Sequence, residues 1–307
     1  MVVTKVLVAG SVNMDIVNAV HRHPRPGETV HGLGTRYIPG GKGANQAVAA
    51  ARAGASVTFV GAVGSDAFGG PLREALVHAG VDVSKVGTKP GSSGLAFITV
   101  AESGENTIIL SAGANGEVTP EDVDAAADAL AACDVVLLQN EVPWETTVHA
   151  MRRARNLGRQ VYLNLAPARP LSDEELRLVD VLVVNETEAE AVSGVPVESP
   201  DDAIEAGRRL VARGAEAVLV TLGAKGSVWV DPAGDPILTP AFAVQPVDTT
   251  AAGDTFVGAF AAVRGAGMPV HEALRFASAA AALKVTRPGA QTGIPERADI
   301  EAFLKMH

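Results

Sequence analysis

Lys5-Val6-Leu7-Val8-Ala9-Gly10 is an apolar run of strand length closed by a glycine turn, and its kind recurs down the chain. Residues 57–60, 135–138, 161–163, 181–184 and 217–220 repeat the pattern. Continuous apolarity marks strands covered on both faces. Alanine-rich stretches of helical length lie between several of them, at 44–53, 71–79, 121–132, 146–157 and 201–213. Strands alternating with helices at this spacing indicate an α/β fold with a mainly parallel sheet.

Two segments break that rhythm. Residues 93–100 and 106–110 read as a β-hairpin around Ser103-Gly104. Residues 12–20 and 28–37, separated by the Pro- and Gly-rich 23–27, read as a second pair of strands. Together they suggest a small β-sheet set apart from the main layers. It is either a pair of peripheral hairpins or a lid over the carboxyl edge of the main sheet. No repeat, low-complexity segment or long linker divides the chain.

The bulk numbers set bounds. A chain of 307 residues suffices for one large α/β domain or two smaller ones. Its 47% hydrophobic and 20% charged content, with 32 glycines, is that of a globular enzyme. The 25 basic and 35 acidic side chains leave a net charge of −10. That disfavours nucleic acid as a partner, because neutralising phosphates needs clustered Lys and Arg. A small polyanion such as ATP would need a local device, which a glycine-rich helix start provides. The single Cys133 excludes an internal disulfide and any cysteine-cluster metal site. The seven histidines show no metal-ligand spacing, and Trp144 and Trp229 read as packing residues. No run approaches the roughly 18 apolar residues of a membrane span. No leader pattern opens the chain, so the expected compartment is the cytoplasm.

Three constellations carry chemistry. The strongest is Asp248-Thr249-Thr250-Ala251-Ala252-Gly253-Asp254-Thr255-Phe256, which runs into a helical stretch. Small residues before a helix let backbone N–H groups face outward, making an anion hole suited to a phosphoryl group in transfer. A carboxylate there repels a simple phosphate but makes sense as a base for an attacking hydroxyl. The alternative is that Asp254 caps its helix and Asp248 ends a strand. The second constellation is Pro39-Gly40-Gly41-Lys42-Gly43-Ala44-Asn45-Gln46, which lacks the spacing of a Walker A loop. Its Lys42 and Asn45 could bond a polyhydroxy ligand. The third is Asn13-Met14-Asp15, whose amide and carboxylate face one side of an extended segment and could grip vicinal hydroxyls or serve only as turn residues. No Gly-x-Gly-x-x-Gly follows the first strand, which argues against a dinucleotide-binding dehydrogenase.

Taken together, these motifs resemble the paired signatures of the ribokinase family within the phosphofructokinase B superfamily. The chain between them agrees: Asn164-Leu165-Ala166-Pro167-Ala168, Asn185-Glu186-Thr187-Glu188-Ala189-Glu190, Thr221-Leu222-Gly223-Ala224-Lys225-Gly226 and Val285-Thr286-Arg287-Pro288-Gly289-Ala290-Gln291. The resemblance runs end to end. It implies a three-layer α/β/α sandwich of residues 1–11, 40–93 and 112–307, with a discontinuous β-lid of residues 12–39 and 94–111. Two such lids would clasp into a homodimer.

The resemblance also implies an activity, ATP-dependent phosphorylation of D-ribose at O5, and a set of site residues. Asn13, Asp15, Gly41, Lys42, Gly43, Asn45 and Glu141 match the sugar site. Asp254 matches the general base, and Ala251, Ala252 and Gly253 match the backbone that steadies the γ-phosphate. Asn185, Thr221, Leu222, Gly223, Ala224, Lys225, Gly226, Gly253 and Ser278 match the nucleotide site, with Mg2+ arriving on ATP. Asp248 and Thr250, with carbonyls near Lys284, Arg287 and Gly289 and with position Gly293, match an activating monovalent-cation site that prefers K+. The chain departs from the family pattern at three places: Ala251 stands where the wider superfamily has Gly, Ser278 where Asn or His is frequent, and Gly293 where Ser is common. The rival readings are a kinase for another acceptor (deoxyribose, a nucleoside, fructose or a keto-deoxy sugar acid) and a non-catalytic sugar sensor. Glu186–Glu190 are either solvated helix surface or neighbours of the phosphates.

Overall fold

The computed structural model describes residues 3–307. Its strands in chain order are β1 (Lys5–Ala9), β2 (Asn13–Val20), β3 (Gly32–Gly40), β4 (Ser56–Gly64), β5 (Val81–Lys89), β6 (Gly94–Ala101) and β7 (Asn106–Ser111). They continue with β8 (Val135–Leu138), β9 (Gln160–Asn164), β10 (Val181–Asn185), β11 (Val218–Thr221), β12 (Ser227–Val230) and β13 (Ile237–Thr239). Nine of them form one sheet in the order β13-β12-β11-β10-β9-β8-β1-β4-β5, and β3-β2-β6-β7 form a second. The large sheet is parallel from β5 to β11 and closes with the antiparallel β12 and β13. This is a doubly covered α/β fold with a small separate sheet, as the resemblance implied.

The apolar runs explain the layering. Along β1, Val6 and Val8 enter the core on one face while Leu7 and Ala9 enter the core on the other. Alternate side chains thus need covering on both sides, and helices supply it. On the first face lie the helices Lys42–Arg52, Ala252–Gly265 and Val270–Val285; on the second lie Trp144–Asn156 and Pro200–Arg213. Phe260, fully buried, sits 6.0 Å from Tyr162 and 5.8 Å from Trp229, which seats its helix on β9 and β12.

One expected helix is broken. The stretch 121–132 divides into Pro120–Asp124 and Ala127–Ala132. Thr119 and Asp122 form a capping box that starts the first piece, and Val123, Ala126 and Leu130, spaced as one helical face, are all buried in the core.

The helices Lys42–Arg52 and Ala252–Gly265 cross closely at Gly258. A β-carbon there would fall 2.4 Å from Gln46 O and 2.6 Å from Ala49 Cβ. The crossing accepts no side chain, and it sets how far residues 45 and 46 stand from residue 254. Gly258→Ala is therefore expected to destabilise the fold by about 1–3 kcal/mol, the usual cost of overpacking. Urea unfolding at constant slope would read it; an unchanged midpoint would show that the helices part without cost.

Candidate active site

The direction of strand succession reverses at the β1–β8 junction, and in such sheets ligands bind beyond the carboxyl ends at that point. Ser11 follows β1, Gln139 and Glu141 follow β8, and Asn164, Asn185 and Thr221 end β9, β10 and β11. The helices Lys42–Arg52 and Ala252–Gly265 start at the same edge.

Asp254 lies in the first turn of its helix and is 9% exposed. Asn45 Nδ2 donates to its Oδ2 and Gln46 Nε2 to its Oδ1, each at 3.0 Å. Gln46 also donates to Asn164 Oδ1 at 2.9 Å and accepts from Gln139 Nε2 at 2.6 Å. The capping alternative falls away, because the N-cap is Ala251 and makes no side-chain cap bond. Asp254 is instead an oriented carboxylate facing the cleft. Asn45 Oδ1 beside it is buried and has no hydrogen-bond partner among the described residues, an acceptor that a ligand hydroxyl would satisfy.

The small sheet delivers Asn13 and Asp15 on one face of β2. Its neighbours leave room for them: a β-carbon on Gly94 would lie 2.2 Å from Asn13 Oδ1, and one on Gly40 2.3 Å from Asp15 Oδ2. Asn115 Nδ2 donates to Asn13 Oδ1 at 2.7 Å, while Asn115 Oδ1 accepts from the Val12 N–H at 2.9 Å. That leaves the Asn13 amide nitrogen as a donor. Gly41 and Gly43 serve the backbone: β-carbons there would lie 2.8 Å from Asn13 N and 2.6 Å from Ser11 N. Glu141 accepts from the Ser11 hydroxyl and, at 3.1 Å, from the Lys42 N–H, so it ties the helix start to the end of β1.

Electrostatically the site is a ring of carboxylates around one ammonium. Burial, then the charges of Glu141 and Asp254, push Asp15 up to about 7. Burial also raises Glu141 and Glu188, partly offset by hydrogen bonds and by Lys42. Burial alone would lower Lys42, but Asp254, Glu141 and Glu188 more than offset it and its pKa rises. Lys42 is the counter-ion that makes the cluster tolerable.

Beyond Asp254 opens a cleft of about 180 Å³ lined by Lys42, Asn185, Glu188, Thr221, Ala252 and Gly253, among others. The N–H groups of the first helical turn lack intrahelical acceptors there. Ala251, which introduces that turn, has φ 60°, a left-handed conformation that a non-glycine residue holds only under constraint from its surroundings. The residues expected at the nucleotide lie in different surroundings. The Leu222 side chain packs in the core, 2% exposed. The Lys225 ammonium donates to Glu198 O at 2.6 Å. Ser278 is buried in the Val270–Val285 helix and does not line the cleft, whereas Gly223 and Ala224 are exposed and Gly226 backs onto Thr239 O. Asn185 caps the Glu186–Ser193 helix through the Glu188 N–H, and of that acidic group Glu188 is the one lining the cleft.

The residues expected around a potassium ion come together, but they do not fit one. Asp248 Oδ1 accepts from Thr250 N at 2.9 Å and Oδ2 from Gly289 N at 2.8 Å. Burial would raise the Asp248 carboxyl, yet these bonds and Lys284 hold it below the ordinary range. Two of the main-chain oxygens at this junction already have a cation: Lys284 Nζ donates to Asp248 O at 2.8 Å and to Arg287 O at 3.5 Å. Gly293 packs on the lysine stem, where a β-carbon would fall 3.1 Å from Lys284 Cδ. Position 284, expected to offer a carbonyl, offers a cation.

Sequence reasoning also missed Asn115, Gln139 and the orienting role of Gln46. The position of Gln139 directly after β8 was the one available signal.

Comparison with known proteins agrees with this geometry. Residues 3–297 match the model of the pfkB family of carbohydrate kinases. A ribokinase of Haemophilus influenzae is 43% identical over 299 residues, covering 97% of each chain. A deoxyribokinase of Salmonella typhi is 37% identical, covering 98% of this chain and 99% of its own. The structure of Arabidopsis thaliana ribokinase complexed with ribose and ATP superposes with a TM-score of 0.93 at 35% identity, over 99% of both chains.

The Asp15 shift predicts a pH dependence of stability. The native state keeps a proton that the unfolded chain releases near the ordinary value of 3.8, so the stabilising contribution is complete below that value and lost as pH rises through about 7. Asp15→Asn should thus raise Tm relative to the parent at pH 8 and not at pH 4. Equal differences at both pH values would rule out the shift.

Proposed function

The chain belongs to the pfkB family of carbohydrate kinases, and from that premise we propose the reaction D-ribose + ATP → D-ribose 5-phosphate + ADP. The observation that carries the reading is the Asp254 carboxylate, held by Asn45 and Gln46 at the mouth of an anion-receiving helix start. Each of its oxygens has one amide donor and keeps a lone pair for a hydroxyl proton. Asp254 takes the proton of the sugar 5-hydroxyl as that oxygen attacks the γ-phosphorus. The bond from γ-phosphorus to the bridging oxygen breaks, and ADP leaves with the electron pair. The first-turn N–H groups of Gly253 and Asp254 stabilise the charge on the transferring group, while the Ala252 N–H donates to Thr249 O at 3.2 Å.

Asp15, the free amide donor of Asn13, Asn45 Oδ1 and Lys42 form the sugar cradle. Asn13 favours ribose over deoxyribose, since a donor there gains a partner from a 2-hydroxyl that the deoxy sugar lacks. Glu188, with its side chain on the cleft wall, suits an Mg2+ that keeps most of its waters and enters on ATP, where the ion neutralises phosphate charge. Potassium is left out of the scheme, because the Lys284 ammonium already sits on two of the carbonyls expected to hold it. The small sheet acts as the lid that excludes water from the site.

Asp254→Asn is expected to lower kcat by at least ~10²-fold with ribose affinity largely kept. A coupled ADP-release assay over ribose, 2-deoxyribose, fructose and nucleosides, with calorimetry of ribose binding, checks both parts. Near-normal turnover in the variant would remove Asp254 as the base. Sugar binding without any ADP release would favour a sensor.

The lid also supports a homodimer. Ile108, Ile109 and Leu110 on its edge strand β7 are 55%, 69% and 56% exposed, an apolar strip that a second lid would cover. Sedimentation equilibrium should find a dimer that Ile109→Glu shifts to monomer. A monomeric parent would overturn this assembly and leave the chemistry untouched.

A further inference from the structure

The geometry points to a built-in cation: the Lys284 ammonium occupies the place of an activating monovalent ion, so the kinase works without added potassium. The inference rests on the kinase reading above and concerns how its phosphate-binding turn is held. Lys284 is fully buried, at 0% exposed, on a helix whose other buried residues are mostly alanines, with Leu274, Phe276 and Ser278 and no other charge. A buried ammonium persists only with oxygen partners, and its partners here are the main-chain carbonyls of Asp248 and Arg287. These belong to the two segments that a bound ion would join. Both are already laced together: the N–H groups of Val247 and Asp248 donate to Val285 O at 2.7 and 3.1 Å, and Gly289 N donates to Asp248 Oδ2. The ammonium ties the centre of that junction with the same unit charge as an alkali ion and with three donors.

Gly293 is the second, independent observation. A β-carbon at this position would lie 3.1 Å from Arg287 O, 3.1 Å from Lys284 Cδ and 3.2 Å from Lys284 Cε. A serine there would press on the carbonyl and the lysine stem together. The lysine and the glycine are therefore a matched pair, one supplying the charge and the other the room for its stem. Three residues after Asp248 comes Ala251 with its left-handed φ of 60°, followed by the helix start that faces the cleft. Anchoring Asp248 holds that conformation, so Lys284 is a positioning residue that never touches substrate.

Initial rates of ribose-dependent ADP release, measured at one ionic strength in K+, Na+ and tetramethylammonium, should agree within about twofold for the parent. Activation of the parent by K+ of fivefold or more would overturn the proposal. The double variant Lys284→Ala/Gly293→Ser should lose at least ~10-fold in tetramethylammonium and regain most of it in K+. A variant that folds but stays equally slow in every salt would also overturn it. Thermal unfolding gives a readout free of catalysis: Tm should rise with K+ over Na+ in the double variant and stay level in the parent. A parent Tm that climbs with K+ specifically counts against the proposal. Absence of ribose phosphorylation in any salt would sink the kinase reading, while the Tm comparison would still decide whether Lys284 stands in for an ion. Should the double variant not fold, the two parent measurements decide alone.

Discussion

Two helices from opposite ends of the chain can approach closely because residue 258 has no side chain, and the catalytic geometry depends on that contact. Gln46 O and Ala49 Cβ lie where a side chain at 258 would be. One turn before the contact, Asn45 and Gln46 meet both oxygens of Asp254. The same Lys42–Arg52 helix is pressed at its start against the Ser11–Asn13 backbone through Gly41 and Gly43. A single short helix therefore fixes the Asp254 carboxylate, the end of β1 and the root of the small sheet against each other. Precision at that carboxylate is inherited from backbone packing, which yields less than a loop would.

Charge is the second constraint. Asp15, Glu141, Glu188 and Asp254 crowd around Lys42, and burial raises three of them above their ordinary values. Such a cluster is unfavourable before ligand arrives, and hydroxyl groups of a bound sugar would relieve it by donating hydrogen bonds to the carboxylates. Stability and function therefore pull in opposite directions at Asp15. The chain places its poorest electrostatics where binding will repair them.

How much of this was legible depends on whether a feature is local. Buried strands were readable because continuous apolarity over four or five residues has few other meanings, and the glycine-rich helix starts were readable because small residues before a helix signal an open N-terminus. The break between Asp124 and Ala127 was hidden because an alanine-rich stretch reads as helix whether or not it bends. Gln139 and Asn115 were missed because an amide that bridges distant segments leaves no periodic trace in sequence. The burial of the Leu222 side chain was hidden for a related reason: a turn motif identifies the turn but not which side chain folds inward. Position 284 was the instructive case. Its place in the chain is that of a carbonyl ligand, and its side chain decides otherwise.

A tethered ammonium and a free ion solve the same structural problem with different dependences. A free ion orders the turn only in proportion to its occupancy, which varies with its concentration. A lysine brings its charge at every concentration, and its cost falls on folding: up to about 2 kcal/mol of side-chain entropy together with desolvation of the ammonium. That cost is one-time and shared with the core, since the stem of Lys284 also fills space against Gly293. The strained Ala251 makes the arrangement coherent. A left-handed alanine at the mouth of the phosphate site needs a constant restraint, and a restraint built into the helix core remains in place while substrates and products exchange.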